Sequence, residues 1–161
     1  MKGEIIMGII EKMRLDGKKG FVTGAARGIG KSTATAFAEA GADIAIVDLD
    51  IKEAEKTAKE LGEKTGRKVI AIGTDCTNQE QVNAMVQQVV KELGGLDFCH
   101  NNAGICINAP AEEMTYEQWY KVININLNGI FLTDIAAGKY MLEHQGGSII
   151  NTASMSAHIV N

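Results

Sequence analysis

Short apolar runs that end in glycine, aspartate or asparagine alternate with longer charge-faced segments from residue 18 onward, and this alternation constrains the fold most. KGFVTG, DIAIVD, KVIAIGTD, LDFCHNNAG and GSIINTAS read as strands. Between the first four, GKSTATAFAEAG, IKEAEKTAKELGEKTG and QEQVNAMVQQVVKELG read as helices. Gly41 closes the first of these, Ala54, Ala58 and Leu61 recur at helical spacing in the second, and Thr77 or Asn78 caps the third. DIAIVD is apolar at nearly every position, as a strand covered on both faces must be. The segment from about Thr115 to His144 is helical in spacing but apolar on more than one face. The order βαβαβαβαβ predicts an α/β fold: a doubly wound parallel sheet in a single domain. Residues 16–161 are assigned to that domain and residues 1–15 to an N-terminal extension, with a short helix around EIIMGIIEKM.

Composition closes off several functions. At 161 residues the chain holds one domain with a real core. A formal net charge of −4 gives no electrostatic case for nucleic acid or an anionic membrane surface. No signal peptide is evident, and no stretch approaches the roughly 18 apolar residues of a membrane span. The three cysteines, Cys76, Cys99 and Cys106, have no CxxC spacing. A reducing, cytoplasmic setting with buried thiols is expected. Cys99, His100 and Cys106 lack a fourth partner for a structural zinc site, so no metal is expected. One sheet contact cannot hide Trp119, Val122, Ile123, Leu127, Phe131, Ile135 and Met141 together. A subunit interface, hence a homodimer or homotetramer, is expected to bury the remainder, although a covering loop would also serve.

VTGAARGIGKS stands where the first strand gives way to the first helix, at the strand end where such sheets form a ligand crevice. Gly24 permits a tight exit, Gly28 lets backbone approach a pyrophosphate, and Gly30 lets the helix pack closely on the sheet. The helix N-terminus adds free N–H groups and the positive end of its dipole. The bland alternative is a structural turn. AARGIGKS also approaches the phosphate loop G-x-x-x-x-G-K-[ST], but Ala25 stands at the first glycine and Gly24 is one residue too far back. Asp48 ends the second strand, where a carboxylate accepts ribose hydroxyls and repels a 2′-phosphate; this favours NAD over NADP. Arg27 cuts the other way, as helix surface or as a 2′-phosphate partner.

The Gly-x-x-x-Gly-x-Gly spacing after Thr23 resembles the short-chain dehydrogenase/reductase family, and three further stretches agree in order. They are Thr74–Asp75, the NNAG of Asn101 to Gly104, and NINLNGIF around Asn126. The resemblance implies a Rossmann-type fold, and an NAD(P)-dependent enzyme that exchanges hydride between a secondary alcohol and a ketone. It implies cofactor contacts at Gly24, Arg27, Gly28, Ile29, Gly30, Asp48, Asp75, Cys76, Asn102 and Gly104. It also implies a catalytic Asn126 and a catalytic Ser154 in NTASMSA. A polyol- or sugar-like substrate is suggested by the same resemblance.

The family also implies a tyrosine with a lysine four residues later, where the cation depresses a phenol whose pKa is otherwise about 10. Tyr116, Tyr120 and Tyr140 are followed at that spacing by Tyr120, Asn124 and His144. All three lie before the fifth strand, whereas the family's pair follows it. The expectation is therefore that these residues are the cofactor-binding part of a longer dehydrogenase. The alternatives are a chain that binds NAD without catalysing, and a partner protein that pairs through its long apolar helix.

Overall fold

The computed structural model describes residues 8–157. Five strands form one parallel sheet in the order β3-β2-β1-β4-β5: β1 (Lys19–Thr23), β2 (Asp43–Asp48), β3 (Val69–Gly73), β4 (Phe98–Asn101) and β5 (Ser148–Asn151). The order reverses direction between β1 and β4, which opens a crevice at the carboxyl ends of those strands. Short α1 (Ile9–Lys12) precedes the sheet, with Gly8 and Met13 as its caps; residues 4–7 of the expected N-terminal helix lie outside those described.

The helices divide into two layers. α2 (Gly28–Glu39) and α3 (Ile51–Thr65) cover one face, where Val22, Ile44, Ile46, Ala34, Ala38 and Leu61 meet. α4 (Gln79–Leu93) and the segment 129–143 cover the other, with Phe21, Val47, Val82, Met85, Val89 and Met141. Each fully buried Val, Leu, Ile, Phe or Met side chain among them contributes roughly 1.5–3 kcal/mol, so β1 and β2 are held hardest. β5 is exposed at all four residues. α4 begins behind Asn78, whose Oδ1 accepts from Gln81 N at 3.1 Å, which decides between the two expected caps.

The segment predicted as one helix is interrupted. α5 (Tyr116–Ile123) starts from a capping box between Thr115 and Gln118, passes into a five-residue π-helical turn, Asn124–Asn128, and resumes as α6 (Gly129–Glu143). Met141 is buried against the sheet, and Val122 and Ile123 are half-buried, so these three do not belong to the surplus apolar surface. Trp119, Leu127, Phe131 and Ile135 do. The thiols also divide: Cys99 is buried, Cys76 half-buried and Cys106 exposed. Cys106 corrects the expectation of buried thiols, because it follows β4 in an open loop rather than lying within the strand. No helix among the described residues is long and apolar enough to cross a membrane.

Candidate functional site

The turn after β1 is built by close backbone approach. A Cβ on Gly30 would lie 2.3 Å from Gly24 O and 2.6 Å from Asn102 Nδ2, so only glycine lets α2 seat against the loops after β1 and β4. Gly28 differs. Its φ is +59° and a Cβ there would point into open space, so the backbone presents a bare cradle at the start of α2. Ile29 beside it is 72% exposed, an apolar side chain left uncovered at the helix N-terminus.

Three hydroxyls and carboxylates hold this turn. Thr23 Oγ1 accepts from Asn102 N and Ala103 N, both at 3.0 Å, while Asn102 Nδ2 donates to Thr23 O at 3.1 Å and Gly24 O at 3.3 Å. Asn102 therefore braces the two central strand ends from below. Thr57 Oγ1 on α3 donates to Ala26 O at 2.8 Å. Asp48 Oδ2 accepts from Ala26 N at 3.0 Å, and its Oδ1 accepts from Asp50 N at 3.1 Å. A carboxylate oxygen has two acceptor positions, so each Asp48 oxygen keeps capacity for a ligand hydroxyl after orienting the loop. Lys31, the lysine of the phosphate-loop near-match, turns away to Glu60 at 2.7 Å.

Gly24, Arg27, Asp48, Asp75, Cys76 and Gly104, drawn from four separate loops, line one cleft of about 280 Å³. Thr74 belongs to the same wall; it is 4% exposed and its Oγ1 has no protein partner. Asp75 Oδ1 accepts from Thr77 N and Thr77 Oγ1, which fixes the carboxylate at the rim. Burial pushes the Cys76 thiol up to about 11, so Cys76 is a neutral packing group rather than a nucleophile. The bare cradle at Gly28, the oriented Asp48 and the orphaned Thr74 hydroxyl together fit a dinucleotide laid across the strand ends.

Asn126 lies in the π turn and clamps the loop after β4: Ile105 N donates to its Oδ1 and its Nδ2 donates to Ile105 O, each at 2.9 Å. Gly104 stands next to this clamp, 3.3 Å from Asn126 Oδ1 by the position of an added Cβ. Ser154 is not among the cleft's lining residues. It stands exposed beyond β5, where its Oγ accepts from Ser156 N at 3.1 Å and holds the 3-10 turn Met155–Ala157. Tyr116 and Tyr120 are exposed on α5, and Tyr140 stacks on His144 at 4.0 Å.

Beneath the site, Asn101 Nδ2 donates to Asp134 Oδ1 and Asn151 Oδ1, at 2.7 and 2.8 Å, joining β4, β5 and α6. His100 Nε2 lies 2.8 Å from Thr152 Oγ1, and burial lowers its pKa. Sequence reasoning did not single out Asp50, although an Asp just before an apolar-periodic run with Glu three places on is a cap signature. Asp50 Oδ1 accepts from Glu53 N at 3.2 Å, and its Oδ2 accepts from Arg27 Nη2 at 2.9 Å.

The family model for short chain dehydrogenase matches residues 18–161. Among curated proteins, D-threitol dehydrogenase of Mycolicibacterium smegmatis is 44% identical over 91% of this chain and 56% of its own length. Galactitol 2-dehydrogenase of Agrobacterium fabrum is 39% identical over 89% of the chain and 55% of its own. The crystal structure of a short-chain type dehydrogenase/reductase from Mycobacterium marinum superposes with a TM-score of 0.92 at 39% identity, over 96% of this chain and 63% of that one. The chain thus spans little more than half the length of the curated relatives it matches.

Proposed function

The chain belongs to the short-chain dehydrogenase family, and from that premise we propose that it is the cofactor-binding part of an oxidoreductase interconverting a secondary alcohol and its ketone. The observation that carries this reading is the single cleft lined by Gly24, Asp48, Thr74, Asp75 and Gly104 at the strand ends. NAD, when bound, supplies the hydride acceptor or donor. The Gly28 cradle and the N–H groups opening α2, with the exposed Ile29 beside them, would hold its pyrophosphate. Asp48 takes the adenosine ribose hydroxyls. Thr74, Asp75 and Cys76 bound the adenine end, and Asn102 and Gly104 keep the loop after β4 in register with the turn.

Asn126, held on Ile105, orders the nicotinamide side of the crevice. Ser154 Oγ donates a hydrogen bond to the substrate oxygen as charge develops on it. Tyr116, Tyr120 and Tyr140 do not line the cleft, and the proton transfer is assigned to none of them. The substrate is a polyol or sugar-like alcohol, as the relatives' names suggest for them. The free thiols fit a reducing, cytoplasmic setting, and the outer face of α5 and α6 fits self-association.

The test is NAD reduction by the whole protein with threitol, galactitol and sorbitol. Turnover with at least one is expected, and Ser154→Ala should lower it about 100-fold while shifting the dissociation constant of NADH by less than about twofold. Turnover with none of these alcohols would remove the substrate class, and an unaffected rate in the variant would remove Ser154.

A further inference from the structure

Arg27 leaves the glycine turn from an extended backbone position, φ −152° and ψ 177°, and reaches the connection between β2 and α3. It is the one cation lining the cleft among the described residues. Its Nη2 donates to Asp50 Oδ2 at 2.9 Å. Asp50 is itself fixed twice: its Oδ1 caps α3 through Glu53 N, and its own N–H donates to Asp48 Oδ1. Asp48 in turn holds Ala26 N, next to Arg27 in the chain. Arg27, Asp50 and Asp48 thus form one closed set of contacts around the place where the adenosine ribose of a dinucleotide would lie.

We propose that Asp50 is a specificity-determining residue: by engaging Arg27 it keeps the cleft's cation from a 2′-phosphate, so the choice of NAD over NADP rests on Asp48 and Asp50 together. This rests on the reading that the cleft takes a nicotinamide dinucleotide. A 2′-phosphate entering here meets Asp48 and Asp50, and to use the cleft's own cation it must draw Arg27 off Asp50. Asp48 alone does not explain a preference, because Arg27 is otherwise well placed to answer the phosphate. Both pair members are exposed, the side chains at 70% and 49%, so the latch is a bias and not a block.

Isothermal titration with NADH and NADPH tests this without any turnover. Asp50→Asn keeps a good N-cap acceptor while removing the charge, and Asp50→Ser, also a cap, guards against an effect peculiar to asparagine. Each should raise the NADPH-to-NADH affinity ratio about three- to tenfold. Adding Arg27→Ala to Asp50→Asn should cancel the gain, and Asp48→Ala should shift the ratio less alone than with Asp50→Asn. An unmoved ratio in both Asp50 variants, or a gain that survives Arg27→Ala, overturns the latch while leaving the dinucleotide reading intact. Failure of the unaltered chain to bind either cofactor overturns both.

Discussion

At the scale of residues, the two glycines at the head of α2 carry different constraints. An alanine methyl at Gly30 would press on Gly24 O, Ala25 Cα and Asn102 Nδ2, and the first two are backbone that cannot rotate away. At Gly28 the methyl meets nothing, and the cost is only the left-handed φ of +59°. Gly30→Ala should therefore lose about 3 kcal/mol of stability, against about 1–2 kcal/mol for Gly28→Ala. Urea denaturation reads both; the reverse order would mean that α2 is not seated by the Gly30 contact. The Gly28 variant should lose NADH affinity beyond its stability loss, since its methyl enters the cradle. The glycine spacing was legible in the sequence because it reflects local backbone geometry. The Arg27–Asp50 pair was not, because it spans 23 positions with all of α2 and β2 between.

At the scale of elements, all five strands and the three helices between the first four were readable from apolar runs and caps. The π turn was not, because the register slip it introduces reads in sequence only as a helix apolar on more than one face. Its observed partner is tertiary: the Asn126 amide on Ile105. The β4–β5 tie was also hidden, since LDFCHNNAG does not reveal that His100 will meet Thr152. His100 is 7% exposed, its Nδ1 has no protein partner, and burial lowers its pKa. The unfolded chain, with a histidine pKa near 6.5, then binds more protons than the folded one as pH falls through that value. Stability contributed by neutral His100 is present above about pH 6.5 and declines below it. Melting temperatures should fall between about pH 7 and pH 5.5 more steeply in the unaltered protein than in His100→Gln. Equal slopes would show that His100 is charged as readily in the fold as in the unfolded chain.

At the scale of the whole molecule, apolar surface is left over on one side. Tyr116, Tyr120, Leu127, Phe131, Ile135 and Leu142 run along α5 and α6 at spacings that keep them on one stripe, and all stay exposed, Leu127 at 61% and Phe131 at 59%. Monomeric soluble proteins rarely leave such contiguous surface to water. None of these residues lines the cleft, and α6 meets the core through other residues, Ala136, Ala137 and Met141, so burying the stripe does not close the site. A second copy is the occupant expected, because the same stripe on two chains is self-complementary about a two-fold axis. Sedimentation equilibrium should give a dimer or a tetramer. Phe131→Asp should shift it toward monomer, since a carboxylate at the centre of an apolar contact would be buried without a partner. NADH affinity should hold in that variant, because Phe131 does not line the cleft. A monomer in the unaltered whole protein would instead mean that the stripe is covered from within the same chain, and Phe131→Asp would then lower the melting temperature without changing the mass.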